Sequence, residues 1–227
     1  MKETINFEKA GGEFISSPAF ITERLKNIKA FIFDWDGVFN NGQKSENTSS
    51  SYTEADSMGT NLLRFGHWLT NSEQLPITAI ITGENNQTAI KLARREHFNN
   101  IYYKIPNKTD ALNHITKLYN IDKSEVAFCF DDVIDLPIAK QCGLRFMVRR
   151  NASVRFKEYI IKNKYCDYIT AQEGGNHAIR EISELILSLK QIFYQVIEER
   201  TNFSETYLKY LSQRNRINTT EYSKNIL

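Results

Sequence analysis

The stretch Ala30-Phe31-Ile32-Phe33-Asp34-Trp35-Asp36-Gly37 decides the fold. Four apolar residues ended by an acidic turn read as a strand buried on both faces, the pattern of a parallel sheet covered by helices. Two carboxylates then fall just past the carboxyl end of that strand, where open α/β sheets place their ligands. Alternation puts Asp34 and Asp36 on one side and turns Trp35 away. Acids held this close attract a hard divalent cation, and one of them can serve as a nucleophile. Gly37 permits the sharp turn that follows.

Working outward, similar apolar runs recur at Ile77–Ile81 and Val126–Phe130, with shorter ones at 101–103, 144–148 and 168–169. Segments of helical periodicity separate them, near 61–70, 86–97, 108–119 and 136–141; the third carries Ala111, Leu112, Ile115, Leu118 and Tyr119 on one face. Strand and helix alternate from residue 29 to about 170, which predicts βαβ units and a doubly wound, Rossmann-like parallel sheet. Residues 1–27 read as an N-terminal extension ending in a short helix near 21–26, residues 28–190 as the α/β domain, and residues 191–227 as a helical C-terminal extension. From Ile179 the apolar positions Ile182, Leu185, Ile186, Leu189, Ile192, Phe193, Val196 and Ile197 predict one long amphipathic helix. The polar end, 215–227, is expected to fray. Residues 38–57, with Asn41-Gly42 and Ser49-Ser50-Ser51, read either as a small flap hairpin or as a flexible polar loop.

Composition excludes several classes. The chain has 227 residues, is 41% hydrophobic and carries a net charge of +2, so no field for nucleic acid or a membrane surface is implied. Three cysteines, Cys129, Cys142 and Cys166, make neither a disulfide framework nor a zinc site. No apolar run approaches the roughly 20 residues that span a bilayer, and the first residues form no apolar signal segment; a soluble, cytoplasmic protein is the expectation. Arg149-Arg150 reads as a solvated surface pair.

Four signals fall at strand ends or helix starts, in order: Asp34-Trp35-Asp36, Thr82, Lys108 and Asp131-Asp132. In a parallel sheet they converge on one edge. Phosphoryl transfer asks for such a set, being mainly a matter of positioning and charge stabilisation. A carboxylate can accept the phosphoryl group as an aspartyl phosphate, while a second protonates the leaving alcohol and later deprotonates water. Magnesium on carboxylates and phosphate oxygens neutralises developing charge, and a hydroxyl, helix-start amides and a lysine hold the transferring oxygens.

With these residues the chain resembles the haloacid dehalogenase superfamily, and within it the capless phosphatases of 3-deoxy-octulosonate 8-phosphate and nonulosonate 9-phosphate. The matching stretches are Phe33-Asp34-Trp35-Asp36-Gly37-Val38-Phe39 with Asn41-Gly42, Asp56-Ser57-Met58-Gly59, Ile80-Ile81-Thr82-Gly83, Asn107-Lys108-Thr109-Asp110-Ala111-Leu112 and Asp131-Asp132-Val133-Ile134-Asp135-Leu136-Pro137. Gly174-Gly175 followed by Ala178-Ile179-Arg180-Glu181 completes the set, and together they span about residues 25–190. The resemblance implies Asp34 as nucleophile and Mg²⁺ ligand, and Asp36 as general acid/base with its backbone carbonyl on the metal. It implies Asp131 as a further metal ligand, Thr82 and Lys108 as catalytic and phosphoryl-binding residues, and Gly83 and Glu84 beside the substrate. Asp132 would orient Lys108 or a metal-bound water, with Asp135 also outside the metal's direct ligands. It further implies a homotetramer in which a neighbour's segment closes each site in place of a cap, using the 38–57 and Gly174-Gly175 segments.

The chain departs from the family pattern in places. Phe130 stands where Gly is usual and either crowds the metal site or packs inward. Ile134 replaces an Asn. Asn176 and His177 stand where Arg and Gly are common; His177 reads as loop surface or as a group approaching substrate. Glu84 stands where the octulosonate enzymes tend to carry Arg and the nonulosonate relatives Glu, which leans towards a nine-carbon sugar acid. Arg94 or Arg95 reads as helix-surface charge, or as a contact to the substrate carboxylate across a subunit boundary. The sequence thus predicts a Mg²⁺-dependent phosphomonoesterase for a phosphorylated keto sugar acid. A catalytically impaired relative acting as an oligomeric binding or scaffold protein is the alternative. A phospho-receiver domain fits less well, because its acidic pair opens the chain and here the adjacent pair comes last.

Overall fold

The computed structural model describes residues 4–44 and 50–223. At its centre lies an eight-stranded sheet: β1 (Glu13–Phe14), β2 (Ala30–Phe33), β3 (Ile77–Ile81), β4 (Asn100–Tyr103), β5 (Val126–Phe130), β6 (Leu144–Arg149), β7 (Tyr168–Glu173) and β8 (Thr220–Ser223). The spatial order is β1-β7-β6-β5-β2-β3-β4-β8. Only β1 runs antiparallel, against β7. The decisive strand β2 is central. Its Ala30 pairs with Val126 of β5 and Ile77 of β3, and its Phe33 with Cys129 and Ile80, so the carboxyl ends of the three strands are nearly flush.

The pleat sorts the apolar runs onto two faces. Phe31, Phe33, Ala127 and Cys129 join one core cluster, with the buried face of α8 (Ala178–Leu189). Ala30, Ile32, Val126, Phe128 and Phe130 join the other, under α5 (Lys108–Tyr119). Continuous apolar strands are what a sheet covered on both faces requires. Phe130 is fully buried in the second cluster and stacks on Phe128 at 5.9 Å between centroids. It therefore packs inward, the less disruptive of its two readings.

The remaining helices are α1 (Thr4–Lys9), α2 (Pro18–Leu25), α3 (Glu54–Thr70), α4 (Gln87–Arg95), α6 (Leu136–Ala139), α7 (Val154–Asn163), α9 (Phe193–Thr201) and α10 (Glu205–Arg214). Helix α3 starts earlier than expected because Thr53 caps it, its hydroxyl accepting from the Asp56 amide, with Glu54 and Asp56 in the first turn. No helix among the described residues is long and apolar enough to cross a membrane. Of the flap hairpin expected over 38–57, residues 45–49 lie outside the described residues, and the described residues beside them form no strand.

Two expectations are corrected. The single long helix from residue 179 is two helices, α8 and α9. Gln191 adopts φ 59° between them. The Ile192 amide donates to the Leu187 carbonyl at 3.0 Å and the Gln191 amide to the Ser188 carbonyl at 2.9 Å. This is a Schellman ending, and the apolar rhythm survives it because both helices face α3. There Leu62, Phe65 and Trp68 meet Leu187, Val196, Tyr207 and Tyr210. The polar C-terminus does not fray over residues 220–223, which form β8 beside β4. Tyr222 stacks on Tyr102 there, 4.9 Å between centroids and 17° between planes.

His67, on α3, is 5% exposed and meets Phe31 edge-on. Burial, then Lys190, depresses its pKa from 6.5 to about 3. It folds neutral, so its contribution is complete above pH 6.5 and is lost as pH falls towards 3, by about 2 kcal/mol at pH 5. His67→Gln should therefore lose less stability than the parent between pH 7.5 and 5. Parallel melting-temperature slopes in the two proteins would refute this.

Candidate active site

Asp34 leaves β2 3% exposed, its amide bonded to the Cys129 carbonyl at 2.9 Å. Trp35 turns the other way, fully buried, stacking on Phe39 and donating from Nε1 to Ser50 Oγ at 2.7 Å. The alternation read from the sequence holds. Gly37 then takes φ 88°, and a Cβ there would collide with Arg150 and Asp131. Asn40 ties the turn: its Oδ1 accepts from the Gly42 amide at 2.8 Å and its Nδ2 donates to the Trp35 carbonyl at 3.2 Å. Gly174 packs directly on the Gly37 and Asn40 carbonyls, which seats the 174–177 loop on this first turn.

Lys108 opens α5, capped by Asn107, and is 5% exposed. Its ammonium pairs with Asp34 and, at 2.5 Å, with Asp135 Oδ1. Asp135 is wholly buried, and its Oδ2 has no hydrogen-bond partner among the described residues. Asp131 follows β5 at 1% exposure and pairs with the Arg150 guanidinium. Oxygens of Asp34, Asp131 and Asp135 lie within 4.8 Å of one another. Burial, then the charge of Asp34, raises the carboxyls of both Asp131 and Asp135; Arg150 and Lys108 respectively offset part of this. Burial opposes the charge of Lys108, yet Asp34 and Asp135 hold its pKa above the ordinary value. Crowded carboxylates with an orphaned buried oxygen suit a hard cation, which takes carboxylate oxygens and keeps its remaining positions for water or phosphate.

Asp36 lies beside this cluster, its Oδ2 accepting from Asn86 Nδ2 at 2.9 Å and lying 4.0 Å from Lys44 Nζ. The same Asn86 amide donates to Thr82 Oγ1 at 2.8 Å. Asn86 sits at the N-cap of α4 and makes no side-chain cap; it links the two residues instead. Gly83 and Glu84 are exposed at the rim, with Glu84 3.2 Å from Lys44.

Similarity to known proteins agrees with this geometry. No family model matches the chain. Over 170 residues, 74% of this chain and 84% of that protein, it is 25% identical to the 3-deoxy-D-manno-octulosonate 8-phosphate phosphatase of Escherichia coli K12. A haloacid dehalogenase superfamily (subfamily III A) hydrolase from Legionella pneumophila matches with TM-score 0.67 and 28% identity, over 84% of this chain and 95% of that one. The 3-deoxy-D-manno-octulosonate 8-phosphate phosphatase of Moraxella catarrhalis, solved with magnesium, phosphate and KDO, matches with TM-score 0.64 and 30% identity, over 78% of this chain and 96% of that one. The chain belongs to this phosphatase family.

Against the phosphatase-family expectation, Asp34, Thr82, Lys108 and Asp131 converge, and Asp36 joins them through Asn86. Asp135 supplies the third carboxylate of the cluster, beside Asp34 and Asp131; the metal contact expected of Asp36 is through its backbone carbonyl, not its carboxylate. Asp132 does not reach Lys108: its carboxylate accepts from the Val133 amide at 2.7 Å, and Asp135 holds the lysine instead. Ile134, in place of the usual phosphatase-family Asn, points to solvent at 65% exposure.

Arg149 and Arg150 are not a solvated pair. Arg149 binds the Thr170 carbonyl at 2.8 Å and Glu13 Oε1 at 2.5 Å, fastening the N-terminal extension. Arg150 enters the acid cluster. Neither Arg94 nor Arg95 is free: Arg94 pairs with Glu221 and Arg95 with Glu54 at 2.5 Å. His177, at φ 71°, lies 3.1 Å through Nδ1 from Thr53 Oγ1. Asn86 was missed in the sequence; its only signal is its place at a helix start four residues after Thr82.

Proposed function

We propose that this phosphatase is a Mg²⁺-dependent phosphomonoesterase acting on a phosphorylated keto sugar acid of the octulosonate 8-phosphate or nonulosonate 9-phosphate type. The observation that carries it is the buried contact of Lys108 with Asp34 and Asp135, beside Asp131, at the carboxyl edge of the sheet. Asp34, the nucleophile, attacks phosphorus and takes the phosphoryl group as an aspartyl phosphate while the ester oxygen leaves. Asp36 protonates that oxygen, then takes a proton from the water that hydrolyses the phosphoenzyme. Asn86 holds Asp36 and Thr82 at one spacing, so the acid/base and a phosphoryl-binding hydroxyl keep register. Lys108 and Thr82 hold the transferring oxygens. Asp34 and Asp131, with Asp135, are the residues to hold Mg²⁺, which supplies charge neutralisation. Gly83 and Glu84 line the entrance, and Glu84 favours the nine-carbon class.

We place the enzyme in the cytoplasm, as the sequence reading expects, and assign it a homotetramer on the family resemblance. Nothing in the site supports the scaffold alternative, because a scaffold needs no buried lysine between two acids. Purified protein with Mg²⁺ should release phosphate from an eight- or nine-carbon sugar-acid phosphate and lose that release in EDTA. Folded protein that releases none from either class, or releases it equally in EDTA, would overturn the proposal.

A further inference from the structure

Among the described residues, Arg150 is the one cation paired with Asp131. It follows β6, which pairs with β5 in the register Phe130 to Met147, so its side chain reaches sideways to the residue just past β5. Its Nε bonds Asp131 Oδ2. The guanidinium lies in a notch left by two glycines. A Cβ at Gly37 would strike it, and one at Gly42 would lie 2.8 Å from its Nη2. It approaches from the solvent side: its side chain is 31% exposed and that of Asp131 2%. Arg150 lines a small cavity of about 90 Å³ together with Asn41, Arg149, Asn151 and Glu173; the Arg149 guanidinium is itself held by Glu13 and the Thr170 carbonyl.

Among the described residues, the three clustered carboxylates thus have two counter-cations, divided between them. Lys108 serves Asp34 and Asp135, and Arg150 serves Asp131. Lys108 is buried between two acids, whereas Arg150 is part-exposed and borders a cavity. A hard dication takes carboxylate oxygens, and a guanidinium on Asp131 Oδ2 opposes it by like charge and by the lone pair it occupies.

We infer that Arg150 is a built-in counter-ion that competes with the divalent metal for Asp131 and withdraws towards Asn41 and Glu173 when the metal binds. The inference rests on the metal-dependent phosphatase reading of the site. Arg150 sets the metal concentration at which the enzyme loads, and it keeps the acid cluster folded while the site is empty.

The test is calorimetric titration of the full chain with Mg²⁺ alone, comparing the parent with Arg150→Met and Arg150→Lys. Arg150→Met should bind Mg²⁺ roughly tenfold more tightly, through loss of one opposing charge at the site. Arg150→Lys, which keeps the charge, should stay nearer the parent. Melting in EDTA should show Arg150→Met below the parent, with the gap narrowing in saturating Mg²⁺. Unchanged or weaker Mg²⁺ binding by a folded Arg150→Met would overturn the inference, since a residue that merely positions Asp131 weakens binding when removed. Phosphate release by the parent separates the two readings: release with unchanged affinity sinks the competition alone, and neither binding nor release sinks both.

Discussion

Asp34→Asn is expected to lower phosphate release by roughly a thousandfold or more, as losses of covalent nucleophiles do, with a melting temperature within a few degrees of the parent. Asparagine matches aspartate in shape, so the 3%-exposed site keeps its packing, and its amide oxygen can still accept from Lys108. What it loses is the anionic oxygen that attacks phosphorus. What it relieves is the charge of Asp34 in a 4.8 Å cluster; after burial, that charge is the next cause raising the Asp131 and Asp135 carboxyls. The two effects separate catalysis from stability. Steady-state release and a thermal melt on the same preparation suffice, and acid-quenched mass spectrometry should find phosphoryl-Asp34 in the parent and none in the variant. Retained turnover in a folded Asp34→Asn would end the nucleophile assignment.

The parts of the fold that were legible are those in which one chemical constraint acts alone. Ala30–Phe33, Ile77–Ile81 and Val126–Phe130 read as strands because a sheet covered on both faces demands unbroken apolar runs, and the groups at their ends follow from parallel topology. Features set by two elements meeting were not legible. Helical periodicity reports which face is buried and not whether the backbone is continuous; it ran through Gln191, which takes a left-handed conformation without being glycine. Thr220–Ser223 is a polar edge strand, held by a register with β4 and by Tyr222 on Tyr102, and polar alternation at a chain end looks the same whether paired or not. An Arg-Arg pair after a strand likewise gives no hint that one side chain crosses to the neighbouring strand's aspartate. Asp135 was expected just outside the metal's direct ligands, and its carboxylate lies within 4.8 Å of those of Asp34 and Asp131; spacing along the chain alone does not give that distance.

Lys108→Met is expected to cost more stability than any other substitution in the site, and the cost should grow with pH. The ammonium is 5% exposed between Asp34 and Asp135, and removing one partner of a buried ion pair costs about 3–5 kcal/mol through the charges left behind. For a chain of this size that is a melting-temperature loss of roughly 6–20 °C. Asp135 already sits above its ordinary pKa, chiefly through burial, and without Lys108 it is pushed higher. A carboxyl raised on folding leaves stability intact below its unfolded value near pH 4 and drains it as pH climbs through the folded value. Lys108 in the parent remains charged throughout that range, since its own pKa is raised. The gap between parent and variant should therefore be small at pH 5 and large at pH 8, which thermal melts at the two values measure directly. A gap that is equal at both, or larger at pH 5, would mean that Lys108 does not neutralise these acids. Phosphate release should fall by about 10²–10³ in the same variant, the usual loss when one preorganised donor to a transition state is removed. Metal addition at pH 8 should restore part of the stability and little of the rate, because a dication can replace the lysine's charge but not its contact with the transferring oxygen.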